Sequence, residues 1–134
     1  MSTAQRIVLI YGMLSLVFGM TLGLPLSQIR MGQPTGPRHL VTAHLSALMQ
    51  GAMHLGLCVA LGFAMFTSWV LTASALLLVA GSALFVAGAT ANWLMNAGDH
   101  FQERPPGFYL LSASAPLHLA GALVVFAGVA RAAL

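Results

Sequence analysis

Four apolar runs, each near the length of a bilayer crossing, alternate along the chain with short polar connections. A spanning helix needs about 20 mostly apolar residues at 1.5 Å each, which predicts transmembrane helices over about 7–26, 39–66, 69–97 and 108–130. The first follows Arg6 and should stop near Pro25, a residue without the N–H that continues a helix. It is too long for a signal-peptide core, and no small-residue cleavage pattern follows it. Only Thr67 and Ser68 separate the second run from the third, which requires a tight hairpin. Pro116 interrupts the fourth and predicts a kink, and Arg131 ends it at the membrane surface. The expected fold is all-α, a four-helix transmembrane bundle forming one domain over 1–134.

Four spans return both termini to one side, so the connections 27–38 and 98–107 share the other. The start of helix 2, the end of helix 3 and the start of helix 4 approach that loop side together. They carry His44, Gln50, His54, Asn92, Asn96, Tyr109, Ser112 and Ser114, whereas the opposite halves are almost uniformly aliphatic. One polar region in one leaflet is the prediction. Arg30, Arg38 and Arg104 on the loop side balance Arg6, Arg131 and the amino terminus, so the positive-inside rule assigns no orientation.

Composition fixes the solvent. Of 134 residues, 59% are hydrophobic and 5% charged, against roughly 25% charged in soluble domains. A small soluble domain has too much surface to hide that apolar fraction, whereas a lipid-facing one needs no polar residues. The net charge of +3 comes from scattered arginines set against Asp99 and Glu103, too sparse for a nucleic-acid face. Cys58 is the only cysteine, which excludes an intramolecular disulfide and a Cys-rich metal site. None of the four runs holds an Asp or Glu, so a proton-driven carrier would lack its relay. No phosphate-binding glycine loop, Ser-His-Asp set or carboxylate pair is present. Chemistry in this chain would require a bound cofactor.

Small residues recur at packing distance: Gly19 and Gly23, then Ala83, Ala87 and Ala91, then Gly121 and Gly128. Such rows let helix backbones approach closely. Four spans make a thin bundle, so some rows are expected to serve self-association.

Intramembrane polar groups are costly and mark candidate sites. His44 lies about one turn inside helix 2 with Gly51 one heptad on, close to the same face. Imidazole binds haem iron axially, and a glycine lets a ring edge approach a helix; the bland alternative is a ring hydrogen-bonded near the interface. Gln50 and His54 share a second face, lining either a cavity or an interhelical bond. Asn92 and Asn96, four apart around the interfacial Trp93, suggest a polar pocket or a buried bridge to helix 2. His118, two residues past Pro116, is a second candidate ligand. Paired with His44 or His54 it would close an iron site for electron transfer, whereas a single ligand leaves a position for substrate. His39 and His100 join Arg30, Arg38, Asp99, Glu103 and Arg104 in a solvated rim.

The stretch Ala43-His44-Leu45-Ser46-Ala47-Leu48-Met49-Gln50-Gly51, the later Ala91-Asn92-Trp93 and the four-span layout resemble the hydroxylaminobenzene mutases and the related styrene oxide isomerases. The likeness runs from helix 1 to helix 4, and Arg30-Met31-Gly32 with the overall length incline it to the mutase branch. It implies an isomerase of a bacterial inner membrane, active in nitroaromatic degradation, that rearranges hydroxylaminobenzene to 2-aminophenol. It also implies noncovalent haem b acting as a Lewis acid, in a homotrimer with haem at the subunit boundaries. On that resemblance His44 is the axial ligand and Gly51 lies beside the cofactor, Gln50 and Asn96 orient substrate or stabilise charge, and Asn92 holds the pocket. The epoxide isomerases have an Asn at the position matching Gln50 and a Tyr at that matching Asn96, so epoxide isomerisation becomes the alternative activity. A non-enzymatic b-type haem protein with paired histidines, and a cofactor-free scaffold, are the other readings.

Overall fold

The computed structural model describes residues 1–98 and 104–134; Asp99, His100 and Glu103 of the expected rim lie outside the described residues. Four helices follow in order: α1 Thr3–Gly32, α2 Arg38–Ala60, α3 Ser68–Leu94 and α4 Pro106–Ala133. The all-α bundle holds, and α1, α3 and α4 are each long and apolar enough to cross a membrane. α2 is 23 residues long, about 35 Å at the helical rise, but Arg38, His39, His44, Gln50 and His54 dilute its apolar character. It stands against both α1 and α3, which shield part of that polarity from lipid.

The helix limits differ from those expected in four informative ways. α1 runs past Pro25 to Gly32: the proline removes one backbone bond, and the remaining ladder carries the helix through, as membrane helices commonly allow. α2 stops at Ala60, so seven residues, 61–67, connect it to α3 instead of a two-residue hairpin. α3 stops at Leu94. There Asn96 takes a left-handed backbone, φ 48°, while the Asn96 N–H donates to the Trp93 carbonyl and the Ala97 N–H to the Asn92 carbonyl. Those two bonds make a Schellman stop, in which asparagine is among the few residues tolerated without a glycine. α4 begins two residues before its expected start and continues through Pro116.

α1 pairs along its length with α2, and α3 with α4; α3 also touches both α1 and α2 and is the hub. Small residues make these seams close. A Cβ added at Gly12 would lie 3.1 Å from the Gly51 carbonyl oxygen, and one at Gly19 would lie 2.8 Å from the Leu48 side chain. On α4 the buried positions Gly107, Ser114, Gly121 and Gly128 recur every seventh residue, and the first three meet α3 backbone or side chain at Gly88, Gly81 and Ser74. Gly19, Gly23, Gly121 and Gly128 are therefore spent inside the chain, whereas Ala83 and Ala87 stay exposed. Ile10, Leu14, Met20, Leu24, Leu119, Leu123 and Phe126 all lie more than half exposed, a surface that only lipid or a second apolar partner solvates without cost.

Cross-links fix which ends lie together. The Gln5 side-chain amide donates to the Cys58 carbonyl, and the Met65 N–H to the Gly128 carbonyl. At the other end His39 Nε2 meets the Gly98 carbonyl at 3.4 Å. The start of α2, the end of α3 and the start of α4 thus gather on one side, as the four-span topology requires.

Candidate functional site

His44 sits in the α1–α2 seam. Its Nδ1 lies 2.8 Å from the Gly19 carbonyl oxygen; a carbonyl only accepts, so Nδ1 carries the proton and Nε2 keeps its lone pair. Gly23, one turn further, makes room: a Cβ there would meet the ring at 3.2 Å. The ring is half-buried, and Nε2 has no hydrogen-bond partner among the described residues. A histidine held by Nδ1–H on a backbone carbonyl, with Nε2 free, is the arrangement that orients imidazole ligands toward a metal. His44 therefore fits an axial haem ligand.

Gly51 does not fit the role expected of it. A Cβ there would lie 2.7 Å from Leu16 Cγ and 2.9 Å from the Gly12 carbonyl oxygen, so the missing side chain is used by α1, and no open face remains for a macrocycle edge. The heptad from His44 brings both residues to α1, and α1 occupies the Gly51 end of that stripe.

Ten residues after His44, His54 repeats half of its geometry and none of its openness. Its Nδ1 donates to the Gln50 carbonyl at 2.8 Å, and the side chain is fully buried. Nε2 faces the Ser82 hydroxyl at 3.5 Å, and the same hydroxyl lies 3.2 Å from His118 Nδ1. With His54 Nε2 unprotonated, the hydroxyl donates to it and accepts from His118 Nδ1–H, which links α2, α3 and α4 in one directional chain. Tyr11 of α1 sets its ring edge-on to His54, centroids 4.8 Å apart, so all four helices meet at this knot. The sequence marked His54 and His118 but not Ser82 or Tyr11; no spacing rule picks one serine of an apolar helix before its neighbours are known. Because Ser82 Oγ fills the gap between the two rings, no flat macrocycle fits there, and the pairing of His54 with His118 as haem ligands fails. His44 turns to α1 and His118 to α3, so they do not form a pair either.

The carboxamides part company with His44. Gln50 lies six residues on, about 120° around the helix, with Oε1 buried and unpartnered. Asn92 is 3% exposed and packs over Gly107 at the start of α4; its Oδ1 is likewise buried without a partner. Thr42 and His39, on the side of α2 away from His44, line a cavity with Asn92. Asn96, expected one turn beyond Asn92 on the same face, is exposed and outside the helix, its backbone committed to the Schellman stop. Tyr109 and Ser112 are exposed on α4, and Ser114 is buried with its hydroxyl on the Leu111 carbonyl. The polar residues therefore face different sides of the bundle, and a single chain does not gather them around one hollow.

Comparison of the chain with protein-family models, with curated proteins and with solved structures finds no match in any of the three.

Proposed function

We propose that this chain is a haem-binding membrane isomerase acting on small aromatic molecules, with hydroxylaminobenzene-to-2-aminophenol rearrangement as the reaction its sequence resemblance favours. The observation that carries the proposal is the His44 arrangement: a fixed tautomer, a free Nε2 and a half-open ring in a seam shaped by Gly19 and Gly23. Bound haem iron would supply a Lewis acid able to polarise an N–O bond. The protein's own part is to hold His44 Nε2 toward the iron; the unpartnered carbonyl oxygens of Gln50 and Asn92 are sealed inside the chain and would meet N–H or O–H groups of substrate only after local repacking.

His44 and Asn92 turn to opposite sides of α2, so no small ligand touches both within one chain. The active assembly is accordingly an oligomer, a trimer by the same resemblance, in which the His44 seam of one copy borders the carboxamide side of the next. The exposed apolar faces of α1 and α4 supply surface for such contacts. The bacterial inner membrane is the location that goes with this reading.

The test is turnover in membranes: formation of 2-aminophenol from N-phenylhydroxylamine, with styrene oxide as the competing substrate. The proposal expects activity on the hydroxylamine that His44→Ala abolishes while the protein still inserts. Equal turnover by wild type and His44→Ala would remove it.

A further inference from the structure

α2 and α4 do not pack against each other along their length, so α3 floors a cleft between them. A cavity of about 240 Å³ lies at the loop-side end of that cleft, with Thr42, Phe85, Ala89, Phe108 and Leu111 on its walls. A second cavity, of about 280 Å³ and mostly polar, adjoins it between the start of α2 and the end of α3, at Trp93, Asn96 and Ala97. Arg38, His39 and Gly98 border both. The two together grade from charged to apolar along α3 from Asn92 to Phe85, about 10 Å at the helical rise. That depth is some two-thirds of the roughly 15 Å half-thickness of a bilayer's hydrocarbon.

We infer that this graded cleft binds an anionic phospholipid of the surrounding bilayer, with the phosphate at Arg38 and one acyl chain along Phe85, Ala89, Phe108 and Leu111. Charge selects the headgroup. Arg38 is exposed at the junction of the two cavities, and among the described residues no acidic side chain lines either of them. A guanidinium has five N–H donors, so the contacts Arg38 already makes leave donors for phosphate oxygens. On this side the sequence sets Arg30, Arg38 and Arg104 against Asp99 and Glu103, an excess of cation, and basic pockets between membrane helices take anionic headgroups for that reason. The walls select the tail: an acyl chain covers them without burying a polar group, whereas a soluble anion gains nothing from Phe85 and Leu111. Trp93 stands at the level where a headgroup sits. The cleft is on the side of α2 away from His44, so the inference stands apart from the haem reading.

The experiment is native mass spectrometry of the full-length protein, delipidated in detergent and incubated with equimolar dioleoylphosphatidylglycerol and dioleoylphosphatidylcholine. The expected result is one phosphatidylglycerol retained per chain, favoured over phosphatidylcholine by at least about fivefold, the scale of one arginine at a membrane surface. Arg38→Gln should erase the preference, and Arg38→Lys should keep it, because a point charge also binds phosphate. Thr42→Phe should fill the cavity and abolish retention of both lipids. Arg131→Gln, at the far end of α4, and His44→Ala should change neither. No lipid retained by wild type, equal retention of the two, a preference that survives Arg38→Gln, or phosphatidylglycerol held by Thr42→Phe at the wild-type level would each overturn the inference. A lipid-free dimer that excludes phosphatidylglycerol would overturn it too, since a second copy would then cover the cleft. Should Thr42→Phe fail to fold, Arg38→Gln and Arg38→Lys decide alone.

Discussion

Two histidines on α2, ten residues apart, begin from the same local chemistry and end in opposite states. Each donates Nδ1–H to a backbone carbonyl at 2.8 Å. His54 then spends Nε2 on Ser82, inside a knot that ties the four helices together and fully buries both of those side chains. His44 keeps Nε2 unspent, in a seam where the partner helix presents glycines. The residue type and the first bond are alike; the face of α2 that each occupies, and so its neighbours on α1 and α3, decides which imidazole holds the bundle together and which can hold something else.

That contrast is broken most sharply by exchanging what each histidine loses. His44→Ala should remove iron-haem absorbance from the purified protein entirely and cost the apoprotein only about 1 kcal/mol, the scale of its single hydrogen bond to the Gly19 carbonyl. Absorption spectra with a parallel melting curve check both halves. His54→Ala should do the reverse. It removes a buried ring and takes one of the Ser82 hydroxyl's two partners while the bond to His118 stays, a destabilisation of about 1–3 kcal/mol, read as a lower melting temperature with haem content retained. Loss of haem without loss of stability in His54→Ala would invert the assignment.

Gly51 sharpens the same comparison from the α1 side. Gly51→Ala should destabilise the apoprotein by about 1–3 kcal/mol, since the new methyl falls on Leu16 and on the Gly12 backbone. A glycine kept for a macrocycle edge would instead leave the apoprotein's stability unchanged. The smallest effect belongs to Asn96. Asn96→Gly should be neutral within about 0.5 kcal/mol and leave turnover intact, whereas Asn96→Ala should cost about 1–2 kcal/mol for its left-handed backbone. Reduced turnover in Asn96→Gly, measured on N-phenylhydroxylamine, would return Asn96 to the site.

Much of the fold was legible because hydropathy is a one-dimensional signal: four runs of the right length force four helices, and their parity forces the loop-side gathering that Thr42, Asn92 and Leu111 display. Helix ends were less legible. A proline reads as a stop in water, but Pro25 lies within a ladder that lipid makes expensive to abandon, and Asn96 reads as helix continuation unless its tolerance of left-handed backbone is weighed. The site was legible by residue type and not by facing. His44, Gln50, His54 and Asn92 were all marked by the cost of polarity in hydrocarbon, yet that cost is met differently for each, by Gly19, by nothing, by Ser82 and by nothing. Facing depends on which helix packs where, and Gly51 shows the consequence: its spacing from His44 suits a cofactor, and Leu16 occupies it.

The most direct measurement of the central claim is the optical spectrum of detergent-purified wild type beside His44→Ala and His54→Ala. The account predicts a high-spin ferric haem band in wild type and His54→Ala, perturbed by N-phenylhydroxylamine, and its absence from His44→Ala. A colourless wild-type protein purified from haem-replete cells, or a haem band that survives His44→Ala, would contradict it.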